Sequence, residues 1–254
     1  MPIKGLWIVD LYCLVSACSP GRTIDVLAEY FDSSELRMFE SSQFDASEPK
    51  VKEAVGLFES GLQAEAEKLF KRMLKTSPGN VAAMRYLAIL AAERGAFDEA
   101  IVLQQQALRT QPGNAILHYE LGLSYKAVNE LDNASACYQK AIQLDGSLYQ
   151  AHFNLGNLLA MANQIGAAVN CYQQALTVNP RHQPSFGNLC LLLDQANRTK
   201  ELETLCQKFS AIYVNVPHLH YFLGRVFQKQ SLYPQAVDAY SRALALQPSS
   251  IVIH

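Results

Sequence analysis

Histidine and cysteine are the side chains of this 254-residue sequence best suited to metal or proton chemistry. Imidazole titrates near neutral pH and is a common metal ligand. His118, His152, His220 and His254 stand at one recurring position of an interval shared by the whole middle of the chain, so they recur because the interval recurs. That position packs a large residue between helices, and nothing in the spacing brings cysteines or carboxylates to it. His218 and His220 are two residues apart and face different ways on a helix. None of the six cysteines forms a C-x-x-C pair, so no zinc site is expected. Cys190 and Cys206 fall on two helices of one expected hairpin, where a disulfide would fit in an oxidising compartment. The sequence holds no P-loop, dinucleotide fingerprint, H-E-x-x-H or G-x-S-x-G. Carboxylates such as Glu65, Glu67, Asp98 and Glu99 fall on faces expected to be solvated. The chain carries no recognisable catalytic motif, and no catalytic residue, cofactor or metal is expected.

The elements that hold these side chains follow from the interval, which is 34 residues, with starts at Ser47, Val81, Ala115, Tyr149, Gln183 and Pro217. Position 8 is Ala54, Ala88, Gly122, Gly156, Cys190 and Gly224, and position 20 is Ala66, Ala100, Ala134, Ala168, Leu202 and Ala236. Position 27 is Met73, Ala107, Ala141, Ala175, Phe209 and Ala243. Small residues there let two helices approach closely. Position 24 supplies bulk in Phe70, Tyr138, Tyr172 and Tyr240, with Gln104 and Cys206 as exceptions. Position 15 (Gly61, Gly95, Asn129, Asn163, Asn197, Ser231) suits the left-handed conformation that ends a first helix. Pro78, Pro112, Pro180 and Pro248 at position 32 stop the second helix, and Asn80 and Asn114 suit the next N-cap.

This pattern resembles the tetratricopeptide-repeat (TPR) family over residues 47–250. The resemblance implies an all-α, right-handed superhelical solenoid of six helix-turn-helix hairpins (47–80, 81–114, 115–148, 149–182, 183–216 and 217–250), with a concave groove lined by the first helices. Residues 251–254 read as the start of a truncated seventh repeat. Residues 1–46 form a non-repeat segment: an irregular cap with a short helix from Thr23 to Phe31, or a signal. Val15-Ser16-Ala17-Cys18 after the apolar run Gly5 to Ala17 resembles a lipoprotein cleavage box, although Asp10 interrupts the run. The expected location is cytoplasmic, the alternative a lipoprotein anchored through Cys18.

A net charge of −2 argues against a nucleic-acid partner. Charged residues make up 17% and apolar residues 50%, which points to apolar surface for a protein partner. Positions 2, 5, 6, 9, 12 and 13 of the first helices should line the groove: Tyr86, Ile89, Tyr119, Leu123, Phe153, Asn154, Asn157, Met161, Asn188, Leu191, Arg225 and Lys229. Arg85, Glu120 and Asp194 add lining charge. The leading expectation is a scaffold that binds an extended peptide or partner helix, the Asn amides pairing with its backbone. Co-chaperone TPR domains grip a C-terminal carboxylate with Lys, Asn and Arg, but here only Asn157 and Asn188 match, with Phe153, His218 and Phe222 at the basic positions. That clamp is not expected. The run Phe153-Asn154-Leu155-Gly156-Asn157 is similar in style to the TPR region of O-linked N-acetylglucosamine transferases. The likeness implies an alternative, the substrate-docking arm of a larger glycosyltransferase or sulfotransferase. A bacterial TPR lipoprotein in envelope or pilus assembly is a third reading. The C-terminal face Ala236–Leu246, read as uncapped, is expected to self-associate weakly, and repeat five to be the irregular joint, because its large and small positions are reversed.

Overall fold

The computed structural model describes residues 49–246. They hold twelve α-helices and, among the described residues, no strand: α1 (Pro49–Glu59), α2 (Gln63–Thr76), α3 (Val81–Glu93), α4 (Phe97–Thr110), α5 (Ala115–Ala127), α6 (Leu131–Leu144), α7 (Tyr149–Met161), α8 (Ile165–Val178), α9 (Gln183–Gln195), α10 (Thr199–Phe209), α11 (Pro217–Lys229) and α12 (Tyr233–Leu246). The segment around Cys18, the helix expected over Thr23 to Phe31 and residues 251–254 lie outside the described residues.

The turns form where backbone sterics allow. Two residues past the end of each odd-numbered helix stands a residue with positive φ: Gly61 (81°), Gly95 (76°), Asn129 (61°), Asn163 (57°), Asn197 (54°) and Ser231 (61°). Glycine has no Cβ to clash there, and asparagine tolerates the left-handed region better than most residues. The Asn80 side chain accepts the Ala83 N–H at 2.9 Å, and Asn114 accepts from Ile116 and Leu117, so both satisfy helix donors that the helix itself cannot.

The described residues divide after Ala151 into two compact units. In 49–151, α1–α2, α3–α4 and α5–α6 pair as hairpins, and α2 and α4 each also pack on the helix that follows. In 152–246, α9–α10 and α11–α12 pair likewise, while α8 and α10 pack on α9 and α11. Positions 20 and 27 are buried in all six hairpins, as Ala66 and Met73 through to Ala236 and Ala243. Alanine at both brings the helix backbones together.

Repeat five departs from this. Leu202 and Phe209 fill the two alanine positions, and with bulk there α10 packs only sparsely on α9. α10 has 11 residues where the other second helices have 14. Tyr213 anchors the chain that follows. Its ring lies 4.4 Å from Phe186, and its hydroxyl donates to the Pro180 carbonyl at 2.8 Å.

Candidate binding face of the first helices

In 49–151 the residues expected to line a groove are mostly packing residues. Tyr86 is buried between two rings, stacked on Phe70 at 5.1 Å and edge-on to Phe58 at 5.2 Å. Tyr119 is fully buried 5.8 Å from the Tyr138 ring, and Ile89 and Leu123 are buried as well. Arg85 and Glu120, expected as lining charges, form one buried ion pair between α3 and α5. Arg85 Nε donates to Glu120 Oε1 at 2.8 Å, and its Nη2 lies 2.6 Å from the same oxygen. Burial pushes the Glu120 carboxyl up, against the pull of Arg85.

In 152–246 the face is more polar. Asn154, Asn157, Asn188 and Leu191 are buried, Phe153, Met161 and Arg225 half-buried, and Lys229 exposed. Asn188 Nδ2 donates to Asn157 Oδ1 at 3.0 Å, and the Tyr172 hydroxyl donates to the same oxygen at 2.7 Å. Phe153 stands edge-on to His182 at 4.9 Å. The His182 ring approaches the Ser185 hydroxyl at 2.7 Å, and burial holds its pKa down at about 4. Arg225 and Lys229 are not free cations. Both grip Asp194, at 2.9 Å and 2.8 Å, and Lys229 also donates to the Asp194 carbonyl and to Asn197.

His118 and His220 of position 4 have structural partners that sequence reasoning missed. His118 Nε2 lies 3.0 Å from the Pro112 carbonyl, and His220 Nε2 lies 2.7 Å from the Val214 carbonyl. Each closes the loop that precedes its own helix by bonding a carbonyl six residues back. Among the described residues, no group of three or more metal-ligating side chains comes together. No described helix is long and apolar enough to cross a membrane.

A cleft of about 410 Å³ lies between α8, α9 and α10, with a floor of Leu176, Leu189, Leu193 and Leu205 and a rim that includes Gln173, Thr204 and Lys208. It opens where α10 stands away from α9. No sequence signal singled it out, beyond the large residues at positions 20 and 27 of repeat five.

Family models match three stretches: Tetratricopeptide repeat over 57–118 and again over 149–182, and TPR repeat over 125–163. The chain is a tetratricopeptide-repeat protein. No curated protein matches it. Among solved structures it is similar to MamA, at 22% identity over 64% of this chain and 95% of that one, with a TM-score of 0.57. It is similar to YrrB, titled a TPR protein with an unusual peptide-binding site, at 16% identity over 71% and 93%, with a TM-score of 0.60. PilF of Pseudomonas aeruginosa is similar at 16% identity over 86% and 95%, with a TM-score of 0.63. These likenesses, all under 25% identity, carry the fold alone.

Proposed function

We propose that this scaffold binds an extended peptide of a partner protein along its first helices, chiefly in the unit 152–246. The observation that carries the reading is where polar burial is concentrated. Of the eleven buried polar or charged residues among those described, ten lie on first helices, Gln104 being the exception. Burying polar groups is costly unless they are hydrogen-bonded, so a fold that needed only packing would place apolar residues there. The contacts of Asn157 and Asn188 with each other use one carbonyl and one amide nitrogen. The opposite ends of the two amides keep the capacity to meet a peptide backbone without reading its sequence. Half-buried Phe153 and Met161 add apolar contact on the same helix. YrrB is a precedent for a peptide-binding site on this fold.

The test is to select a peptide from a random library on the immobilised chain and titrate it into the wild type, Asn154→Ala and Met161→Ala, with helicity monitored. Each variant is expected to weaken binding by about three- to ten-fold. Unchanged affinity in both, with a loss in Thr204→Ala or Lys208→Ala, would move the site to the cleft between α8 and α10.

We also propose that the outward face of α12 pairs with a second copy. Tyr233 and Val237 are 63% and 64% exposed, whereas Val169 and Leu176, at the positions of Val237 and Leu244 in the earlier hairpin α7–α8, are 1% and 3% exposed in the core with α9 residues. Sedimentation should show concentration-dependent dimerisation that Val237→Glu abolishes. A chain that stays monomeric at high concentration rules this out.

A further inference from the structure

Positions 8 and 24 face each other across the hairpin. A Cβ added to Gly122 would lie 2.6 Å from the Tyr138 ring, one on Gly156 2.8 Å from Tyr172, and one on Gly224 2.5 Å from Tyr240. In repeat five these two positions hold Cys190 and Cys206. Both are free thiols and fully buried in one apolar cluster. A disulfide of about 2.05 Å then needs rotation about the two Cα–Cβ bonds and a small approach of the helices. That approach works against the buried bulk of Leu202 and Phe209, but α10 is the short second helix and its Leu205, with Leu189 of α9, lines an open cleft next in sequence to the two cysteines.

The geometry points to Cys190 and Cys206 as a dithiol–disulfide site that staples α9 to α10 when the chain meets a low-molecular-weight disulfide. One cysteine loses its proton, and its thiolate attacks a sulfur of the small disulfide. The mixed disulfide forms and the first small thiolate leaves. The other cysteine then loses its proton and attacks the protein-bound sulfur of that mixed bond, forming the Cys190–Cys206 bond and expelling the second small thiolate. The protein dithiol is oxidised by two electrons, the small disulfide is reduced to two thiols, and the two cysteine protons end on those thiols. Burial pushes the Cys190 thiol well above its usual value, so the closed hairpin holds little thiolate and the reaction runs through opening of repeat five. Once formed, the bond fixes α9 against α10. Asn188 and Leu191 flank Cys190 on α9, so the oxidised chain carries a stiffened first helix.

The experiment treats the reduced full chain with a series of oxidised and reduced glutathione buffers, quenches with acid, alkylates, and reads intact mass and linked peptides. The expected result is a Cys190–Cys206 cross-linked peptide with loss of about 2 Da. Oxidation should quicken in sub-denaturing urea. Amide exchange across 199–209 should slow by about ten-fold or more in the oxidised chain. Cys206→Ala, with its fold checked by circular dichroism, should yield no cross-link. The wild-type peptide map decides the matter even if that variant fails to fold. Two separate glutathione adducts on Cys190 and Cys206 would overturn the proposal. So would both remaining reduced after the half-buried Cys137 and Cys171 have been modified.

Discussion

Asn188 donates to the side chain of Asn157, 31 positions earlier in sequence, at 3.0 Å, and the Tyr172 hydroxyl meets the same oxygen at 2.7 Å. Two amides whose types and positions suited a ligand are first of all partners of each other. Asn188→Ala removes one donor and leaves a buried carbonyl and hydroxyl to reorganise. It should cost about 1–3 kcal/mol of stability. Tyr172→Phe removes only the hydroxyl and should cost about 1 kcal/mol. Urea midpoints of the two variants check this, and no loss in either would mean that the ring, which both variants keep, and not the network, carries the energy.

The Arg85–Glu120 pair is 1% and 0% exposed at its side chains, so each charge depends on the other. Glu120→Ala should destabilise by about 3–5 kcal/mol, because it strands a buried guanidinium. Replacing the pair together, as Arg85→Met with Glu120→Leu, should return most of that loss or exceed the wild type. A double variant as unstable as the single one would show that the pair fixes the α3–α5 geometry.

Much of the fold was legible in the sequence and less of the site, for a physical reason. Small residues at positions 20 and 27 and Gly or Asn at position 15 report on backbone approach and φ, which are properties of the position alone. All six positive-φ turn residues could be named from sequence because sterics leave few alternatives. Tyr86 and Tyr119 were different. Periodicity gives the direction in which a side chain leaves the helix, but whether a ring lies open or between Phe58 and Phe70 depends on the depth of its neighbours. Charges at Arg85, Arg225 and Lys229 carried no mark of their partners, which lie 31 to 35 residues away. His118 and His220 bond backbone carbonyls, and no residue type announces those.

His182 should make the stability of 152–246 depend on pH. Burial lowers its pKa from the ordinary 6.5 to about 4, and a cation there would also oppose the N-terminal end of the α9 dipole. The unfolded chain takes up this proton near pH 6.5 and the folded chain only near pH 4, so between those values the unfolded state binds more protons. The contribution is therefore fully present above pH 6.5 and is lost as pH falls towards 4. Allowing for its partial exposure, the loss should be about 2 kcal/mol. Urea midpoints measured from pH 7 to 4 for the wild type and His182→Gln should diverge through this window. Parallel curves would assign the acid sensitivity to other groups.

Position 8 gives a graded test of how tightly the hairpins pack. In an exposed helix interior, Gly→Ala stabilises by about 1 kcal/mol, and the reference site Gly56, at position 10 of repeat one with nothing within 4 Å of an added Cβ, should show that gain. At Gly122 the new methyl would meet the Tyr138 ring at 2.6 Å, and that ring is fully buried and cannot move aside. Overpacking there typically costs about 1–3 kcal/mol, which outweighs the helical gain. Gly156→Ala should behave alike, since Tyr172 is only 1% exposed. Gly224 shows the shortest distance, 2.5 Å, yet its partner Tyr240 is half-buried on α12 and can swing outward at the expense of its hydroxyl bond to Gln228. The expected order of urea midpoints is therefore Gly56→Ala above wild type, Gly224→Ala near it, and Gly122→Ala and Gly156→Ala below. Tyr138→Leu, introduced together with Gly122→Ala, relieves the contact, so the double variant should lose less than the sum of the two single losses. Strict additivity would mean that the methyl is accommodated by backbone movement of α5 rather than resisted by the ring.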